Sequence, residues 1–254
     1  MLEIKPISAF NDNYIWLLAD NDKKEAWVVD PGDAKPVIAS LEQLNLSLKG
    51  ILITHHHQDH TGGVIELKQR YGIQAYGADV PSCTDVVLKE DDTLDILNCT
   101  FTTLEIPGHT LDHLGFYAQN EQLLFCGDTL FFAGCGRIFE GTPEQMHASL
   151  QKLAALPDET SVYPTHEYTQ ANLKFALAVE PDSPYVLRAI QNTNRLRDRN
   201  LPTLPTTIAA EKCHNPFLRN RQPPVIAAAM EQAGSLVIDP IEVFTVIRQW
   251  KNNF

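Results

Sequence analysis

The sequence predicts an α+β protein: two β-sheets with helices outside them, a four-layer αββα sandwich, followed by a smaller all-helical part. Three observations carry this expectation. Short apolar, β-branched runs separated by polar turns fill most of the chain as far as Pro164. Isolated segments with helical apolar spacing interrupt those runs. From Thr169 onward the pattern is helical, broken by Pro-rich stretches at Leu201–Pro205 and Gln222-Pro223-Pro224, with no strand signal of any length. The expected division is a sheet-rich domain over residues 1–168 and a helical domain over 169–254.

In order, Glu3–Ile7, Tyr14–Ala19 and Ala26–Val29 read as hairpin-connected strands with turns at Asn11-Asp12-Asn13 and Asp20–Lys24. Asp30-Pro31-Gly32-Asp33 is a turn, and Val37, Ile38, Leu41 and Leu44 mark a helix over Ala34–Leu44. Asp30 reads as a turn former that is also placed to orient a ligand histidine. Gly50–Thr54 is a buried strand, Gly63–Tyr71 a helix and Ile73–Tyr76 a strand, and residues 77–92 are irregular. A second, largely antiparallel sheet is expected from Leu94–Leu97, Thr100–Ile106, Leu114–Ala118 and Gln122–Phe125. A helix over Pro143–Leu156 follows Thr142, an N-cap with Pro at the first helical position. Later helices are expected at Gln170–Val179, Tyr185–Arg199, Pro223–Gln232 and Pro240–Trp250.

The chemistry concentrates in Thr54-His55-His56-His57-Gln58-Asp59-His60, four imidazoles and a carboxylate on a strand-to-helix loop. On such a loop His55 and His57 can project to one side while Asp59 and His60 turn to another, so the pattern can feed two metal ions. Further ligands are expected just past other short apolar runs, where a rigid sheet holds them: His109 in Pro107-Gly108-His109-Thr110, Asp128 in Cys126-Gly127-Asp128-Thr129, and His166 in Tyr163-Pro164-Thr165-His166. His113 reads as a structural or supporting histidine on a strand, His56 and His147 as solvent-facing, and His214 as a loop residue.

The five cysteines are scattered without a C-x-x-C, which argues against a disulfide framework or zinc-thiolate knuckle, and Cys126 and Cys135 read as packed side chains. A formal net charge of −12 argues against nucleic acid as partner. No apolar run approaches the roughly 18 residues of a membrane span, and the N-terminus reads as neither a secretory signal nor a transit peptide, so a cytoplasmic protein is expected. Residues 1–170 are acidic, with 10 Lys and Arg against 25 Asp and Glu, whereas 171–254 hold 10 against 7. That basic excess suits a small anionic ligand.

Taken together, the motifs THHHQDH at 54–60, PGHT at 107–110, CGDTL at 126–130, GCGRIFEGT at 134–142 and HEYT at 166–169 resemble the metallo-β-lactamase superfamily and, within it, the glyoxalase II (hydroxyacylglutathione hydrolase) family. The resemblance runs essentially end to end. It implies that His55, His57 and His109 bind one metal, that Asp59, His60 and His166 bind the other, and that Asp128 bridges both, with Asp128 and Asp59 as catalytic residues. The ions would be two divalent metals per chain, zinc first, with iron or manganese as alternatives. The implied substrate is a small-molecule glutathione thioester, S-D-lactoylglutathione above all, cleaved by a monomer in the second step of methylglyoxal detoxification. Arg248 and Lys251 on the last helix would hold a glutathione carboxylate, while Arg137, Phe139 and Tyr168 would line the rest of the substrate site. Phe139 stands where many relatives carry Tyr, and Asp112 where they carry Gly. The competing expectation is a persulfide dioxygenase of the same fold with one iron, disfavoured by the helical domain and its Arg248/Lys251 pair.

Overall fold

The structure, a computed structural model, describes residues 2–254. The chain forms two compact units, Met1–Glu105 with Asp112–Gly127, and Ile106–Leu111 with Asp128–Phe254.

The first unit opens with β1 (Leu2–Ala9), β2 (Asn13–Asp20) and β3 (Glu25–Val29), followed by α1 (Ala34–Leu44) and β4 (Ser47–Ile53). A short helix α2 (Gln58–Thr61), α3 (Val64–Tyr71), β5 (Gln74–Gly77) and β6 (Val86–Val87) complete the first sheet region. Its six strands lie in the order β1 to β6. The hairpins β1–β2 and β2–β3 are antiparallel, and the α1 and α3 crossovers make β3, β4 and β5 parallel. Every residue of β2 is buried, as are Gly50 to Ile53 at the end of β4. That explains the continuous apolar runs in place of alternation. Asp33 caps α1 by accepting from the Lys35 amide, and Asn45 closes it in a left-handed conformation. A second set of strands, β7 (Thr93–Ile96), β8 (Cys99–Glu105), β9 (Leu114–Ala118) and β10 (Leu123–Gly127), pairs as an antiparallel meander.

The second unit contains the hairpin β11 (Leu130–Phe131) and β12 (Gly134–Cys135), then α4 (Pro143–Ala154), β13 (Ser161–Pro164), α5 (Thr169–Val179) and α6 (Pro184–Arg197). β14 (Thr206–Thr207), α7 (Ile208–His214), α8 (Pro223–Ala233) and α9 (Pro240–Asn253) follow. Thr142 and Gln145 form the full capping box that starts α4. Leu173 and Ala176 of α5 pack with Val186 and Ala189 of α6 and with Ala133 of the hairpin turn. Phe175, Phe217, Phe244 and Trp250 make a ring cluster that seats α9.

The expected α+β class with two strand systems and a helical C-terminal region is found. Several local expectations change. The histidine loop contains a helical turn, α2, that carries Asp59 and His60. The region after Thr169 does hold a strand, β14, which pairs antiparallel with β13. His214 ends a helix and is buried, not on a loop, and His147 is buried against Phe244, with its pKa lowered by desolvation. The compact units are cut differently from the expected 168/169 division, because α4 packs on α9 and α7, and β13 pairs with β14.

Candidate metal centre

In the first unit, β4 ends at Ile53 and delivers Thr54 and His55 fully buried, with His57 partly exposed as the residue before α2. Asp30, buried at the end of β3 with φ +53, is the hub of this group. Its Oδ1 accepts the Thr54 amide at 2.8 Å, and its Oδ2 accepts the Thr54 hydroxyl at 2.7 Å. His60 Nδ1 lies 3.0 Å from the same Oδ2. Thr54 Oγ is also 3.0 Å from His55 Nδ1. Having donated its one hydrogen to Asp30, the threonine can only accept from His55. A carboxylate at Asp30 therefore places the proton of both His55 and His60 on Nδ1 and leaves a lone pair on each Nε2.

The remaining polar atoms of this group are close. His55 Nε2 stands 3.1 Å from His57 Nδ1, and His60 Nε2 stands 3.6 Å from Asp59 Oδ2. The Asn13 side-chain amide donates to the same Asp59 oxygen at 3.0 Å and so fixes that carboxylate. The His113 ring stacks on His55 with centroids 4.6 Å apart. It lies just before β9, not on the strand. Gly127 follows from this crowding. Its φ is +48, and a Cβ there would lie 2.5 Å from Thr54 Oγ and 2.8 Å from the His113 ring. Asp112 accepts from His56 Nδ1 at 3.0 Å, which gives the aspartate at that position a partner, and His56 is half-buried through this pair.

In the second unit, His109 donates from Nδ1 to the Arg137 carbonyl at 2.8 Å, since a carbonyl can only accept. Its Nε2 then faces Asp128 Oδ2 at 3.5 Å, and His166 Nε2 faces that same oxygen at 3.3 Å. All three side chains are buried. The segment around His109 is tied down by Phe139 N to His109 O and Gly141 N to Gly108 O, both 3.2 Å, and by Ser149 Oγ to Pro107 O at 2.7 Å. His166 lies flat on Tyr168, centroids 4.6 Å apart and planes within 3°, while the exposed Phe139 meets His109 edge-on at 5.2 Å.

These donor sets suit divalent metals. Imidazole nitrogens with free lone pairs and carboxylate oxygens are the ligands of zinc, iron and manganese. For His55, His60 and His109, the opposite ring nitrogen is held by a hydroxyl, a carboxylate or a carbonyl, the arrangement that orients metal-binding histidines. Asn13, Thr54 and the Arg137 carbonyl were not among the expected site residues. Nothing in a single sequence distinguishes an asparagine that ends a turn, or a backbone oxygen, as a ligand support.

The remaining expected residues share the second unit. Arg137 is exposed, whereas Arg248 is buried and donates from Nη1 to Cys135 O at 2.8 Å and Gly136 O at 3.5 Å, with its guanidinium 4.9 Å from the Phe217 ring centroid. Lys251 donates to Ala171 O at 3.2 Å. Burial, followed by the charges of Arg248 and Arg137, pushes its pKa down to about 8. Lys251 thus feels two cationic neighbours, Arg248 and Arg137. Cys135, beside Arg248, is a buried thiol whose pKa burial pushes up, in keeping with a packed residue.

Comparison with known proteins bears on the whole chain. Residues 10–82 and 76–166 match the metallo-beta-lactamase superfamily, and residues 167–254 match the family described as hydroxyacylglutathione hydrolase C-terminus. Hydroxyacylglutathione hydrolase 2 of Vibrio vulnificus is 52% identical over 258 residues, and the hydroxyacylglutathione hydrolase of Nitrosomonas eutropha 49% over 259, each match covering 100% of both chains. The crystal structure of the BLEG-1 B3 metallo-beta-lactamase superposes with TM-score 0.65 at 26% identity, covering 86% of this chain and 99% of that one.

Proposed function

The chain belongs to the hydroxyacylglutathione hydrolase family of the metallo-beta-lactamase superfamily and is a hydrolase; on that premise we propose that it cleaves S-D-lactoylglutathione, and other S-2-hydroxyacylglutathiones, to glutathione and the free 2-hydroxy acid. The reaction would use two divalent ions, zinc first, with His55, His57 and His109 for one, Asp59, His60 and His166 for the other, and Asp128 shared. The observation that carries the metal reading is the fixed tautomer of His55, His60 and His109, whose Nδ1 protons are all committed elsewhere.

When bound, the ions would supply Lewis acidity toward the thioester carbonyl and lower the pKa of a water to about 7. The protein's own groups do the rest. Asp128, with one oxygen facing two imidazoles, is placed to take a proton as the tetrahedral centre collapses. Asp59, held by Asn13, keeps its carboxylate toward His60. The leaving thiolate, with a conjugate-acid pKa of about 8.5, departs without a strong general acid.

Arg137, Lys251 and Arg248 form the anion-binding part of the substrate site. An incoming carboxylate would offset both the burial and the neighbouring cations that lower the Lys251 pKa, and the buried Arg248 Nε has no partner among the described residues. Phe139 and Tyr168 present ring faces, and Phe139 brings no hydroxyl. Residues 1–168 then carry the metal ligands and 169–254 the lysine and arginine that recognise glutathione. No helix among the described residues is long and apolar enough to cross a membrane. A cytoplasmic monomer without nucleic-acid or membrane partners completes the reading.

The test is hydrolysis of S-D-lactoylglutathione beside a thioester of the same acid on a small thiol. The proposal expects fast turnover of the glutathione ester and a KM for the small ester higher by at least an order of magnitude. Equal KM values would remove glutathione recognition from it.

A further inference from the structure

The hairpin from Leu130 to Cys135 connects Asp128 to Arg137, whose carbonyl holds His109. Its five residues from Phe131 to Cys135 each pass a backbone polar group to a side chain from the helical region. Asn215 Nδ2 donates to Phe131 O at 3.2 Å and Gly134 O at 2.9 Å. Asn172 Nδ2 donates to Phe132 O at 3.0 Å, and the Ala133 amide donates to Glu211 Oε2 at 2.8 Å. Cys135 O accepts from Arg248. The Phe132 ring lies flat on His214, with centroids 4.7 Å apart.

Glu211 is the centre of this arrangement. Its carboxylate is fully buried and meets four partners: the Ala133 amide, Asn215 Nδ2 at 2.8 Å, the Thr206 hydroxyl at 2.7 Å and His214 Nε2 at 3.1 Å. A buried carboxylate is expensive unless fully hydrogen-bonded, so the site is specified for this acceptor set. Ala133 itself sits at φ +53, a left-handed conformation that the hydrogen bond from its N–H to Glu211 Oε2 holds in place. The hairpin then returns on its own start. The Gly136 amide bonds Thr129 O at 3.3 Å, and a Cβ on Gly136 would lie 2.0 Å from Asp128 O and 3.0 Å from His109 Nδ1. A shift of the hairpin is therefore a shift of Asp128 and of the carbonyl that orients His109.

We propose that Glu211, with Asn215 and Asn172, is a positioning residue for the metal centre, setting Asp128 and His109 through the hairpin 130–135. This rests on the metal reading above. It makes the helical region, beyond any role in recognising glutathione, a determinant of metal affinity.

Glu211→Gln can keep every partner: its carbonyl oxygen accepts from Ala133 and Asn215, and its amide donates to a Thr206 hydroxyl and a His214 nitrogen turned to accept. Glu211→Ala removes them. The experiment measures zinc affinity by competition with a chromophoric chelator, using circular dichroism to select folded protein. Loss of one outer partner of a metal site costs about 10–100-fold in affinity. The expected result is a loss of that order for Glu211→Ala, recovery to within about threefold of the parent for Glu211→Gln, and a smaller loss for Asn172→Ala, which takes away the partner of Phe132 O alone. If Glu211→Ala does not fold, Asn172→Ala and Asn215→Ala carry the comparison. Parent-like zinc affinity in the folded variants, with lowered thermal stability only, overturns the proposal. A parent protein that binds no zinc would instead overturn the metal reading.

Discussion

Replacing Asp30 with Asn isolates the account of ligand orientation. The aspartate accepts three hydrogen bonds, from the Thr54 amide, the Thr54 hydroxyl and His60 Nδ1. An asparagine of the same shape keeps its carbonyl on the Thr54 amide, and it tolerates the left-handed backbone at φ +53. Its amide then faces Thr54 Oγ and His60 Nδ1 as a donor. The threonine must turn its hydrogen toward His55 Nδ1, and His60 Nδ1 must accept, so both rings move their proton to Nε2, the metal-facing atom. Losing one such partner costs about 10–100-fold in metal affinity, or roughly 1.4–2.7 kcal/mol. Because Asp30 serves two of the proposed ligands, the upper end applies. The fold should lose only about 1 kcal/mol, since shape and the amide bond survive. Chelator competition gives the affinity, and urea unfolding in chelator gives the stability. An Asp30→Asn protein that binds both metals as tightly as the parent refutes the tautomer argument, whatever its stability.

Three further outcomes follow from the geometry. Lys251 loses its proton as pH rises through about 8, so KM for the glutathione thioester should climb above that pH, and Lys251→Met should start from a higher KM and flatten the climb; an unchanged limb in the variant assigns it elsewhere. Gly136→Ala places a Cβ 2.0 Å from Asp128 O, so metal content after dialysis should fall well below the parent's, and full retention would show that the hairpin yields without moving Asp128. Thr142→Ala removes the capping box of α4 and should cost about 1 kcal/mol in urea unfolding with zinc affinity unchanged; a fall in affinity would tie α4 to the centre.

What the sequence made legible divides by length and by the kind of atom involved. The helix Ala34–Leu44 could be read to the residue from the spacing of Val37, Ile38, Leu41 and Leu44, and in the structure the Asp33 cap and the left-handed Asn45 end it at the same residues. Strand β2 and the Gly50–Ile53 end of β4 were found because they are buried and therefore almost continuously apolar, whereas the exposed Ser47 and Lys49 at the start of β4 were not read as strand. α2 is a single turn inside the histidine loop, too short for any period to register. α7 was missed because its buried side includes Glu211 and His214, polar residues that break the expected stripe. The same feature hid the burial of His147, which read as solvent-facing and packs on Phe244. The proposed ligand residues themselves stood out as types at short spacing. Their supports did not, because Thr54, Asn13 and the Arg137 carbonyl act through ordinary hydrogen bonds that only the folded chain creates.

A thioester hydrolase that needs two metal ions per chain is tested by stripping the protein with chelator and restoring zinc in steps, with bound metal and hydrolysis of S-D-lactoylglutathione measured on the same samples. Little activity should remain after stripping, the rate should rise to its plateau only as the second equivalent binds, and an Asp128→Ala protein should reach neither the stoichiometry nor the rate. Full activity with one metal per chain, or a protein that holds one iron, leaves the thioester intact and consumes oxygen with glutathione persulfide, would contradict it.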